Sequence, residues 1–265
     1  MRLCIFVACL IGQALFFKVE AQVKPLPNAH AHNDYLHKKP LLDALSYGFT
    51  SIEADIHLID GELYVVHDKP SSLQNILTLK KAYLEPLSQH IALNKGYVYP
   101  GYSPAIYLMI DIKTDAEPTY ALLKKQLTPY ASLLQTKNNP DGRVKVVLSG
   151  NRPTGTVQQE ATPLVSIDGR PEDLAANHAS DFMPVISQNY SKVLKWNGEG
   201  TIPEADEQIL RKLAVETHKQ GKKLRLWASP EKLNVWKSLL EAGVDFINTD
   251  KLQELQTFLS AQTKP

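Results

Sequence analysis

A single-domain α/β fold, a (β/α)8 barrel, is what this sequence predicts, and three observations predict it. Short apolar runs that read as strands recur about eight times, mostly alternating with helical stretches. Setting aside the first 21 residues leaves about 244 of 265, near the ~250 of such a barrel. The alternative, a doubly wound open sheet, would carry a glycine-rich phosphate loop after its first strand, and none is present.

Residues 1–21 read as a signal peptide: Arg2, then an apolar run from Leu3 to Phe17, then Val19-Glu20-Ala21 before Gln22. The run is short for a membrane span. The expectation is therefore a secreted or periplasmic protein whose catalytic domain is 22–265. Cys4 and Cys9 both fall in that segment, which leaves no disulfide, thiolate nucleophile or cysteine zinc site. Losing Arg2, Lys18 and Glu20 brings the 29 basic and 28 acidic residues into balance. That charge suggests no nucleic-acid partner and no electrostatic capture by a membrane, so the expected partner is a small molecule.

From Leu26 a short extended segment ends in His30-Ala31-His32-Asn33-Asp34-Tyr35, and a short helix over 40–47 is closed by Gly48. Thr50 opens a strand carrying Glu53 and Asp55. Gly61 turns the chain, and Leu63–Val66 climb back to His67-Asp68. Residues 71–104 read as irregular, partly helical over 80–92. Tyr97–Pro104 (YVYPGYSP) is a candidate lid or substrate rim. Further strands are expected at Ala105–Ile112, Arg143–Leu148, Pro163–Ile167, Met183–Ser187, Lys223–Ala228 and Val244–Asn248. Helices are expected at 117–134, 203–219, 231–242 and 252–259.

Barrel enzymes work at the C-terminal ends of their strands. Residues i and i+2 of a strand share a face, so Glu53 and Asp55 project together, and two crowded carboxylates resist ionising. With Asp111 they form an all-oxygen set suited to one hard divalent cation, Mg2+ or Ca2+. His32 and His67 are an acid–base pair for the two sides of a reacting centre. Lys113, two after Asp111, brings positive charge toward an anion. Hard metal, two histidines and a lysine fit phosphodiester cleavage. Strand ends also offer Asn151 with Arg152, Asp168 with Arg170, and Arg225 with Trp227. Arg152 and Arg225 are either phosphate contacts or buried structural arginines, and Trp227 is either barrel packing or a substrate wall. His30 is either structural or a site residue just below His32; His57 reads as structural. Asp68 orients His67, and Asp250 caps the last helix.

In order, His-Asn, Glu-x-Asp, Gly-x-Leu-x-Val-x-His-Asp, Asp-x-Lys and a late Trp resemble the phospholipase-C-like phosphodiesterase superfamily. Its nearest branches are the glycerophosphodiester phosphodiesterases and the sphingomyelinase-D-like enzymes. HAHNDY resembles a subgroup of secreted bacterial members. The resemblance implies a distorted barrel with Glu53, Asp55 and Asp111 on the metal, His32 and His67 as acid and base, and Lys113 and Trp227 lining the pocket. It departs at Asn33, where glycerophosphodiesterases carry an arginine that reaches the phosphate. Asn33 is thus a substrate-side position, with the anion contact either missing or supplied elsewhere, by Arg152 or Arg225. It departs again at Asp111, where the branch often has Glu. The expected activity is hydrolysis of a glycerophosphodiester or (lyso)phospholipid-like substrate, a role in lipid metabolism. Two other readings are a non-catalytic ligand-binding barrel and an amidohydrolase-like enzyme using His30-x-His32.

Overall fold

Alternation along the strands builds the interior. In β2 (Phe49–Ile59), Ile52, Ala54 and Ile56 are fully buried toward the surrounding helices, while Ser51, Glu53 and Asp55 face the barrel axis. The computed structural model describes residues 22–262. Its other strands are β1 (Leu26–Ala31), β3 (Glu62–Val65), β4 (Ile106–Ile112), β5 (Val144–Gly150), β6 (Ser166–Gly169), β7 (Val185–Asn189), β8 (Lys223–Trp227) and β9 (Phe246–Thr249). The parallel order β1-β2-β4-β5-β6-β7-β8-β9 closes on itself through β9 and β1, giving the eight-stranded barrel that was expected. β3 is a ninth strand, paired antiparallel to β2 outside the ring. Met109, Val147, Val185 and Phe246 fill the lower barrel, so polar side chains gather at the C-terminal mouth.

The helices are α1 (Leu42–Ser46), α2 (Glu85–Leu93), α3 (Ala116–Leu127), α4 (Thr154–Gln159), α5 (Tyr190–Val193), α6 (Glu204–Lys219), α7 (Leu233–Glu241) and α8 (Leu252–Gln262). In α6, Glu204, Asp206 and Glu207 occupy the first turn and His218 and Lys219 the last, each sign matching the helix dipole. Leu210, Ala214 and Thr217 form its buried stripe. The helix expected over 117–134 is shorter. Pro129 cannot extend an α-helical hydrogen-bond ladder, and Thr128–Leu133 continues as 3-10 turns. The short α4 and α5 carry too few periodic residues to be foreseen.

The YVYPGYSP segment is neither lid nor rim. Val98 and Tyr99 are buried, and the Tyr99 hydroxyl donates to the Phe49 carbonyl at 2.6 Å. Phe49 begins β2, so this loop closes the N-terminal end of the barrel, opposite the mouth. Its aromatics are floor packing. Tyr99→Phe removes the donor to a buried carbonyl and is expected to lower stability by about 1–3 kcal/mol, read as a shifted urea midpoint, with ligand binding at the mouth unchanged.

Candidate active site

The register of β2 on β4 pairs Asp55 with Asp111 and sets Glu53 one inward step lower. Their ligand atoms lie within 4.8 Å of one another; among the described residues no other group of three His, Cys, Asp or Glu side chains comes so close. Each carboxylate is divided in the same way. Glu53 Oε2 is held by His30 Nε2 at 2.9 Å and by Arg225 Nη2. Asp55 Oδ2 takes Tyr35 Oη at 2.8 Å and Lys113 Nζ at 3.2 Å, and Asp111 Oδ2 takes Lys113 Nζ at 3.2 Å. Asp55 Oδ1 and Asp111 Oδ1 are buried without any hydrogen-bond partner. Glu53 Oε1 has His32 Nε2 at 3.8 Å, beyond hydrogen-bond reach. A Cβ at Gly150 would collide with Asp111 Oδ1, and the left-handed φ of +67° favours glycine there. Two orphaned aspartate oxygens with a Glu53 oxygen close by, all hard, fit a divalent cation of the magnesium or calcium kind.

The electrostatics agree. Burial works against the charge of Glu53, but Arg225 and the His30 hydrogen bond outweigh it and hold the carboxyl well below the usual range. Burial and the Arg225 charge push His30 down to about 3. Neutral His30 therefore donates Nε2–H to Glu53 and accepts at Nδ1 from the Ser51 hydroxyl at 2.7 Å. With both nitrogens used, His30-x-His32 is not a transition-metal site, which removes the amidohydrolase-like reading. Asp55 is pushed up to about 6 by burial and then by the Glu53 charge, against the pull of Lys113. Burial likewise raises Asp111 despite Lys113. Burial would lower Lys113, but Asp111 and Asp55 win and raise it.

The histidines arrive from two loops. His32 Nδ1 lies 2.8 Å from Asp250 Oδ1. Asn33 Nδ2 lies 2.9 Å from the same Nδ1; paired with the carboxylate, which can only accept, Nδ1 carries the proton and leaves Nε2 for the cleft. Burial alone would lower His32; the Asp250 hydrogen bond and the Glu53 charge raise it. Asp250 is thus an orienting partner for His32 and not simply a helix cap. Asn33, at φ 47°, braces the pair: Nδ2 lies 3.3 Å from Asp250 Oδ1, and Oδ1 accepts from Tyr35 Oη at 2.8 Å. His67 follows β3, with its backbone guided by Val66 N–H to the Asp55 carbonyl at 3.1 Å and its own carbonyl held by His57 Nε2 at 3.0 Å. Asp68 Oδ1 lies 3.1 Å from His67 Nδ1, so Nε2 again remains free.

A cavity of about 460 Å³ opens over these groups, lined by His32, Asn33, Glu53, Asp55, His67, Asp111, Lys113, Arg225 and Trp227 among others. A larger groove of about 990 Å³ beside α1 and α8 lacks any such cluster and is set aside. Two expected contacts need correction. Arg152 does not line the cavity; its Nη1 donates to the Asp168 carbonyl. Arg225 is buried, and each of its three nitrogens is engaged, by Glu53, Met109 Sδ and Asn248 Oδ1, so it serves as the counter-ion of Glu53. Sequence reasoning gave Tyr35 and Arg170 no role in the site and read Asp250 as a helix cap. The signals were there, in the tyrosine of HAHNDY and in polar residues at strand ends.

Residues 223–253 match the glycerophosphoryl diester phosphodiesterase family. The structure resembles the crystal structure of a glycerophosphodiester phosphodiesterase from Parabacteroides distasonis, with TM-score 0.58 and 15% identity, covering 91% of this chain and all of that one. Residues 17–165 match the AIM6-like phosphodiesterase domain, and the chain belongs to that family. Relatives named Altered inheritance of mitochondria protein 6 occur in fungi. The one from Eremothecium gossypii is 28% identical over 94% of this chain and 74% of its own length. A homolog from Arthroderma benhamiae is 28% identical over 86% and 82%. These matches correct one expectation. The family they show is the AIM6-like one, and they do not reach as far as the HAHNDY subgroup. The secreted or periplasmic location is overturned by relatives whose names tie them to mitochondria, while the supposed signal peptide, 1–21, lies outside the described residues.

The raised Asp55 fixes a sign. A carboxyl lifted from 3.8 to about 6 contributes stability fully present below pH about 4 and lost as pH rises through 6. Without divalent ions, Asp55→Asn should melt above the wild-type protein at pH 8, by the equivalent of about 3 kcal/mol, and the gap should narrow below pH 6 and close toward pH 4. Magnesium or calcium should raise the melting temperature of the wild-type protein and not that of the variant.

Proposed function

We propose that this protein is a metal-dependent phosphoric diester hydrolase acting on a glycerophosphodiester or lysophospholipid-like substrate. One observation carries the reading: Asp55 and Asp111 each keep a buried oxygen without a hydrogen-bond partner, within 4.8 Å of a Glu53 oxygen, at a mouth that His32 and His67 share. Glu53, Asp55 and Asp111 would hold one divalent ion, magnesium or calcium, which when bound supplies positive charge to phosphoryl oxygens. Lys113, anchored 3.2 Å from both Asp55 and Asp111, adds a fixed cation at the same rim. Trp227 walls the cleft on the β8 side.

The chemistry then falls to the two imidazoles. One accepts the proton of the attacking hydroxyl, from water or from the substrate itself, as the new P–O bond forms. The other gives a proton to the departing alkoxide as the old P–O bond breaks. Asp250 and Asp68 hold the respective Nδ1 atoms, which keeps both Nε2 atoms on the working side. His30, Tyr35 and Arg225 fix the carboxylates and take no part in the proton transfers.

With bis(4-nitrophenyl) phosphate and either metal, His67→Ala and His32→Ala should each lose about 10²–10⁴-fold in turnover. The double variant should lose little more, because the two act in one step. Undiminished turnover by His67→Ala would sink its assigned role. Phosphorus NMR of products from a panel of glycerophosphodiesters and lysophospholipids then identifies substrate and route together.

A further inference from the structure

We propose that Arg170 is the anion-binding residue of this cleft, taking an oxygen of the substrate phosphoryl group from the far side of the barrel mouth. The proposal rests on the reading of the cleft as a phosphodiester site, and it names the contact that Asn33 and Arg152 do not supply.

Two arginines line the cavity, Arg225 and Arg170. Every nitrogen of Arg225 is engaged below the triad. Arg170 is different. All its side-chain hydrogen bonds run through Nη1, to Asp168 Oδ2 and the Gly169 carbonyl at 2.9 Å and to the Asp168 carbonyl at 3.3 Å. Nε and Nη2 keep their N–H groups, and the side chain is 21% exposed at the cavity wall. A planar fork with free donors, held along one edge, is suited to an oxyanion.

The residue is also held in place. Asp168 is fully buried at the end of β6, and neighbouring strands satisfy it: Ser149 of β5 donates to Oδ2 at 2.8 Å and Ser187 of β7 to Oδ1 at 2.6 Å. The backbone of Arg170 donates to Asp173 Oδ2 at 2.7 Å, and Pro171 follows it. Such bracing sets the guanidinium before any ligand arrives, which is what a binding contact needs. In the ring β1-β2-β4-β5-β6-β7-β8-β9, β6 stands opposite β1. Arg170 therefore faces the position of His32 and Asn33 across the mouth, with the triad of β2 and β4 along the arc between them. A phosphoryl group seated there meets Lys113 near the triad and Arg170 from the other wall.

The test is calorimetric titration of inorganic phosphate into the full chain with magnesium present, with hydrolysis of bis(4-nitrophenyl) phosphate followed alongside. Arg170→Gln should weaken phosphate binding about ten-fold or more. Arg170→Lys, which can keep the pair with Asp168, should stay folded by melting temperature and still bind phosphate more weakly than the wild-type protein; it decides the matter if the Gln variant unfolds. Arg152→Gln should keep its phosphate affinity. Equal affinity in the folded Arg170 variants, no phosphate binding by the wild-type protein, or an equal loss in Arg152→Gln would overturn the proposal. Phosphate binding that depends on Arg170 without any diester hydrolysis would leave this site standing and remove the hydrolase reading. Hydrolysis indifferent to Arg170 would do the reverse.

Discussion

Mutual repulsion among Glu53, Asp55 and Asp111 is the constraint around which the mouth of this barrel is built. Strand pairing forces the three carboxylates together, because Asp55 and Asp111 are register partners and Glu53 lies two residues down the same strand. Two cations answer them from different depths. Arg225 lies beneath and settles Glu53, helped by neutral His30. Lys113 lies at the rim and is shared by the two aspartates. That leaves Asp55 and Asp111 raised and each with a buried oxygen unpartnered, an arrangement that costs stability unless a cation completes it.

The loops extend this logic outward. Each histidine has its Nδ1 facing an aspartate, and each is steered by a neighbour that contributes no chemistry: Asn33 beside His32, and His57 beneath the carbonyl of His67. The β3 hairpin is the device that carries His67 back over β2. Tyr35 links the first loop to the triad, its hydroxyl 2.8 Å from both Asn33 Oδ1 and Asp55 Oδ2. The carboxylates and the first loop thus share partners, so a change in the HAHNDY loop reaches the triad directly.

Much of this was legible in the sequence, for a physical reason. Period-two placement of Glu53 and Asp55, and of Asp111 and Lys113, follows from strand geometry, so a strand assignment alone puts them on one face. The arginines were not legible in that way. Arg152 and Arg170 both follow a strand end, and only the turn after each decides which guanidinium reaches the cleft; Arg152 turns back to the Asp168 carbonyl. Arg225 sits in strand register with its charge consumed by Glu53, a partner 172 residues away that no local pattern shows. Tyr97–Pro104 misled because a Tyr-, Pro- and Gly-rich loop looks alike at either end of a barrel. Asp250 was read as a cap since its contact with His32 spans 218 residues. Location was misread because an apolar N-terminal run says little without its relatives.

The central claim is that the triad is a hard-cation site. An anomalous difference map from a crystal soaked in manganese tests it most directly. The account predicts a single peak about 2.0–2.3 Å from Asp55 Oδ1, Asp111 Oδ1 and Glu53 Oε1, lost in a crystal of Asp111→Asn. A map with no peak there, or with a peak held by other side chains while the triad stays empty, would contradict it.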